Sequence, residues 1–148
     1  MSTRELKWGA YGGIAGGLIF GGMMGVMGML PMIGSMVGQP TAAVGFVVHM
    51  VNSVIIGAGF ALVLGRFVSG TRSGVGLGLA YGGAWWFLGP LTLMPLFMGM
   101  GFGVNWNATA AAAMLPSLVG HLMFGGILGV TYTWLRRRDA GPVLATAR

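Results

Sequence analysis

GAYGGIAGGLIFGGMMG, residues 9–25, has Gly9, Gly13, Gly17, Gly21 and Gly25 at successive fourth positions and no charged side chain. At 3.6 residues per turn this spacing keeps the glycines on one slowly drifting stripe of a helix. Such glycine density weakens a helix in water. In lipid it has a use, because small residues at this spacing let the backbone of a second helix approach closely. The stretch therefore predicts a spanning helix that packs tightly on a neighbour.

Working outward, residues 9–25 lie inside the first of four long apolar stretches. These run over about 8–37, 42–64, 73–100 and 109–135, and none contains Asp, Glu, Lys or Arg. Each meets or exceeds the roughly 20 residues that cross a bilayer core. The breaks between them are short and marked by Gly, Pro, Ser and Asn, as in Gly38-Gln39-Pro40-Thr41. The whole chain is 55% hydrophobic and only 7% charged. A soluble domain has about 25% charged residues, so this chain is expected to be an all-α integral membrane protein with four transmembrane helices. The first apolar run is about twice the 7–15 residues of a signal-peptide core, and reads as a retained helix. Pro31, Pro90 and Pro95 fall late in the first and third stretches, predicting a kink, a tilt or an outer end that bends inward over the bundle.

The formal charge of +6 over 148 residues raises the question of a nucleic-acid partner. Placement answers it. Arg4 and Lys7 precede the first helix, Arg66 and Arg72 lie between the second and third, and Arg136, Arg137, Arg138 and Arg148 follow the fourth. The other two loops are uncharged, so every basic residue falls on one side, as the positive-inside rule expects of a cytoplasmic face. The charge reads as a topology signal with anionic lipid as its neighbour, and both termini are expected on that side. No nucleic acid is implied.

The two halves resemble each other. Tyr11-Gly12-Gly13 matches Tyr81-Gly82-Gly83, while His49, Gly57 and Arg66 match His121, Gly129 and Arg138 at a common offset. Units of about 8–66 and 74–138 would form two parallel-repeat helix pairs about an axis along the membrane normal. A single bundle over residues 1–148 is expected, with 139–148 a polar, flexible tail. Further small-residue ridges surround the histidines: Gly45, His49, Ser53, Gly57, Ala61 and Gly65, and then Ser117, His121, Gly125, Gly129 and Thr133.

His49 and His121 are the residues that need explaining. At 1.5 Å per residue each lies roughly 22–26 Å from its basic boundary, in the outer half of the membrane. An imidazole there requires a hydrogen-bond partner or a ligand. Asn52, Ser53, Ser117 or a carbonyl of the neighbouring unit would supply a structural bond. Alternatively the two rings hold a haem b iron, another membrane pigment or a metal ion between them, or mark a proton or substrate path. Methionines are concentrated nearby, and thioether with imidazole suits Cu(I), so Met23, Met27, Met50 and Met123 are candidate metal ligands. The plainer account is that methionine fills irregular gaps in a glycine-rich bundle.

Trp8, Trp106, Tyr132 and Trp134 read as interface anchors, and Trp85 and Trp86 as core or cavity lining. Asn107-Ala108-Thr109 is a glycosylation sequon if the loop faces outward in a eukaryote. Glu5 and Asp139 are the two acids, both at the basic end, and there is no cysteine. No carboxylate pair, cysteine nucleophile or phosphate loop is available, so an autonomous enzyme is not expected. The sequence points to a small subunit or accessory protein of a larger membrane complex, holding haem or a metal between His49 and His121. The alternative is a homo-oligomeric channel or transporter, for example for Cu(I), lined by Met and His.

Overall fold

In the computed structural model, which describes residues 2–139, the first helix opens on a reciprocal cap. The Ser2 N–H donates to Glu5 Oε2 at 2.7 Å and the Glu5 N–H donates to Ser2 Oγ at 3.3 Å, satisfying two otherwise free backbone donors. Helix α1 spans Thr3–Val26, α2 Leu30–Ser35, α3 Ala42–Leu64, α4 Thr71–Leu88, α5 Met94–Phe97, α6 Ala108–Ala113 and α7 Leu115–Asp139. A single 3-10 turn, Gly65–Phe67, follows α3, and a π-helical segment, Gly89–Leu93, joins α4 to α5. There is no strand among the described residues. The expected tail lies, apart from Asp139, outside them. Among the described residues three helices are long and apolar enough to cross a membrane: α1, α3 with its 3-10 turn, and α7.

The apolar stretches break where glycine permits it. Gly28, at φ 68°, ends α1, and the Met29 N–H reaches back to the Met24 carbonyl at 2.9 Å. Gly38 (φ 75°) does the same for α2, where Gln39 N–H bonds Gly34 O, and Gly99 (φ 74°) for α5, where Met100 N–H bonds Pro95 O. A left-handed residue at this position turns the chain while satisfying the last carbonyls, and glycine adopts it without a Cβ clash. The first stretch is therefore not one helix to residue 37. Its end folds back as α2 onto the start of α3, seated where a Cβ on Gly45 would collide with the Leu30 carbonyl. The third stretch likewise stops being regular at Gly89-Pro90, because Pro90 has no N–H to donate and its ring crowds the preceding turn. The fourth breaks at Met114, ahead of Pro116.

Side by side the long helices run in the order α3, α1, α7, α4, with α3 and α4 barely touching. The ridges expected from glycine spacing are the contact surfaces. Gly9 and Gly13 lie on Gly57 and Ser53, and Gly74 and Gly78 on Gly129 and Gly125. At each of these positions an added Cβ would run into backbone of the partner helix. Gly12 and Gly16 of α1 meet Leu128 and Phe124 of α7 in the same manner.

The paired Tyr-Gly-Gly motifs do not occupy matching places. Tyr11 is 55% exposed, whereas the Tyr81 hydroxyl donates to the Ile56 carbonyl at 2.9 Å and bridges α4 to α3. Tyr132 is a second departure. Read as an interface anchor, it is instead fully buried with Phe60 and Leu128, packed edge-on against Trp8 and Phe60 at ring separations of 6.0 and 5.5 Å. Gly65 leaves room for its hydroxyl, which has no hydrogen-bond partner among the described residues. Trp8 Nε1 donates to Asp139 Oδ2 at 2.9 Å, and Arg136 bonds the carbonyls of Gly65 and Val68. The end of the bundle that bears Trp8 and Asp139 is thus closed and filled.

Candidate functional site

At the opposite end the helices part. A cavity of about 330 Å³ opens there, walled by α1, α2, α3, the α4–α5 junction and the start of α7. Its walls include Phe20, Trp85, Phe97 and Phe124, and also Met24, Met29, Met32, Met36, Met94 and Met114. The polar side chains lining it are His49, Asn52, Ser53, Ser117 and His121. Both histidines therefore reach one space. Tyr81, one turn before the lining residue Trp85 on α4, bonds the carbonyl of Ile56, which also lines the cavity. The roof comes from the folded-back α2.

Glycines make the placement of both rings possible. His49 lies against the α1 ridge, where a Cβ on Gly21 would stand 3.0 Å from its Cδ2. Gly120 provides a notch in α7 that admits the Phe20 ring. Phe20 then meets both imidazoles edge-on, at 5.3 Å from His49 and 4.8 Å from His121 between ring centres.

Each imidazole is held through one nitrogen. His49 Nε2 is 3.0 Å from the Gly17 carbonyl oxygen, with Ser53 Oγ at 3.5 Å. His121 Nδ1 is 2.8 Å from the Ser117 carbonyl oxygen, with Ser117 Oγ at 3.3 Å. A carbonyl only accepts, so the nitrogen facing it bears the hydrogen, and the other nitrogen keeps its lone pair. The nitrogens left without a hydrogen-bond partner among the described residues are Nδ1 of His49 and Nε2 of His121. The latter looks toward Gly89 of the π segment, 3.8 Å from where a Cβ would stand. A backbone carbonyl fixing one ring nitrogen while the other is presented is also how proteins orient imidazole ligands.

The π segment forms part of the wall through Gly89, Pro90 and Leu93. Thr92 Oγ1 donates to the Phe87 carbonyl at 2.8 Å and accepts from Trp106 Nε1 at 3.0 Å, which pins the distortion. Trp86, on the same helix, donates to the Met114 carbonyl at 3.0 Å. Single π turns inside helices occur often at functional sites.

The candidate methionines are placed elsewhere. Met27 caps α1 and is 44% exposed. Met23 lies against Gly120, Met50 beside Gly17, and Met123 in a shallow outer groove between α4 and α7. None of them lines the cavity. Among the described residues no three or more His, Asp or Glu side chains cluster as metal ligands. Sequence reasoning missed Met24, Phe20, Met114 and Phe97 as lining residues. For Met24 a signal existed, since it follows Phe20 by one helical turn.

No protein-family model, curated protein or solved structure matches this chain.

Proposed function

We propose that this chain is a four-span protein of the cell membrane, with both termini cytoplasmic, serving as the ligand-holding subunit or accessory protein of a larger membrane assembly. The ligand is received between His49 and His121. In this reading α4, the π segment and α5 act together as a span, the third in chain order, from Thr71 to Phe97. The orientation rests on the one-sided basic residues. The two-pair repeat is supported by the likeness of the ridge contacts, Gly9 on Gly57 and Gly13 on Ser53 against Gly74 on Gly129 and Gly78 on Gly125. Exposed apolar side chains such as Val47, Val51 and Val119 would meet lipid or partner subunits.

One observation bears most of the weight. Two imidazoles in an apolar bundle each bond a carbonyl through one nitrogen, and both side chains line one cavity. A purely structural histidine in lipid has no need of that space.

Haem is the poorest fit of the ligands that the sequence admits. A cavity of ~150 Å³ accepts one benzene ring, so 330 Å³ holds a body of about two rings, smaller than a porphyrin. Phe20 moreover rests against both histidines. A soft metal is the second reading, favoured by the methionine thioethers around the cavity, and it would make the chain a Cu(I) carrier.

The test is to purify the full-length protein gently and measure its absorption spectrum, metal content and organic extract beside His49→Phe/His121→Phe. The expected result is a bound species in the wild type that the double variant lacks. A wild type with no Soret band, no metal and no extractable molecule beyond bulk lipid would refute a ligand-holding role.

A further inference from the structure

We infer that the occupant is a lipid-soluble aromatic diol of the quinol type, admitted sideways from the bilayer between α3 and the α4–α5 segment. The inference rests on the reading of the cavity as a ligand site and names the ligand class. A metal ion needs donors converging at about 2.0–2.3 Å, whereas this cavity measures about 330 Å³. A space of that size with aromatic walls and few polar groups is built for an organic molecule.

The polar groups say which kind. His49 Nδ1 and His121 Nε2 are both acceptors, because their partner nitrogens already donate to the carbonyls of Gly17 and Ser117. Two fixed acceptors select a molecule with two donors. A quinol offers two hydroxyls on a flat apolar ring; the corresponding quinone offers only acceptors, which would face two lone pairs. An unmatched polar group in a buried site is costly, so the discrimination favours the diol.

The entrance is marked independently. Asn52, Ile55 and Phe97 line the cavity and are also exposed on the outer surface of the bundle. Ile55 and Phe97 are 63% and 64% exposed. Asn52 stands near the middle of α3, and among the described residues its amide has no side-chain hydrogen-bond partner. An amide facing hydrocarbon without a partner is unfavourable, and here it stands at the mouth, where a hydroxylated ligand must pass. The helices on either side, α3 and α4, barely touch, and their bridge, Tyr81, lies beneath the cavity.

The experiment is native mass spectrometry of the full-length protein in detergent under argon, loaded with decyl-ubiquinol or, separately, decyl-ubiquinone. One quinol per chain is expected, with quinone retained about tenfold less. His49→Phe and His121→Phe should each weaken quinol retention about tenfold, the loss of one good hydrogen bond. His49→Asn and His121→Gln, which return an acceptor near the Nδ1 and Nε2 positions respectively, should restore it, and Asn52→Leu should lower it. Equal retention of quinol and quinone, or retention indifferent to both histidines, overturns the proposal. Bound copper or haem in a wild type that takes up no quinol overturns the ligand class and leaves the site standing. A wild type that binds neither quinol, metal nor haem overturns both readings.

Discussion

The two ends of the bundle share the same four long helices and are packed by different rules. Around Trp8, Tyr132 and Arg136 the helices touch backbone to backbone, and Phe60, Leu128 and Tyr132 are without exposed surface. Around His49 and His121 the first and third apolar stretches lose regularity, at Gly28 and at Gly89-Pro90, and the space between them stays open. In a bilayer, where lipid tails are as apolar as leucine, burial alone would give these helices little reason to associate. Close packing must do so instead. The closed end supplies that packing and lets the other end tolerate two imidazoles, a π turn and a cavity. The π turn and the two imidazoles gather at the end whose packing is looser.

The largest effect expected from this division is at a ridge. Gly78→Leu forces a side chain into the Gly125 carbonyl and should cost about 3 kcal/mol or more, read as loss of folded protein in a detergent unfolding titration. Full retention of stability would mean that the ridges are not what holds the bundle.

Tyr132 sharpens the comparison at the closed end. Tyr132→Ala removes a fully buried ring and should cost about 3 kcal/mol. Tyr132→Phe removes only the unpartnered hydroxyl and should raise stability by about 1 kcal/mol. A loss in the phenylalanine variant would reveal a partner for that hydroxyl. The smallest effect belongs to Gly76→Ala, since a Cβ there meets nothing within 4 Å. Stability should rise by no more than about 1 kcal/mol, and a large loss would place Gly76 in a contact between subunits.

Much of this was legible in the sequence. Charge-free runs mark the apolar segments, and the second segment coincides with Ala42–Leu64. The ridges follow from glycine spacing, and the histidines stand out because a polar ring in lipid needs a partner. The broken outer ends were legible only in part. Pro31, Pro90 and Pro95 signalled irregularity, but not that α2 folds back to roof a cavity. Tyr132 was misread because aromatic residues near helix ends usually anchor at the interface. Its spacing from Leu128 and Phe124, at successive fourth positions on the face that meets α1, was the better guide. The lining methionines could not be sorted from the outward-facing ones, because hydrophobicity would not separate inside from outside in an apolar solvent.

The central claim is that both histidines are pinned by backbone carbonyls and present one acceptor nitrogen each to a common cavity. Nitrogen-15 NMR of the full-length protein, labelled at histidine and held at mildly alkaline pH, tests it directly. The account predicts two imidazoles of opposite tautomer, His49 protonated at Nε2 and His121 at Nδ1. On loading with decyl-ubiquinol, the shifts should fall on the unprotonated nitrogens. Two rings in the same tautomer, or two averaging freely between tautomers, would contradict it.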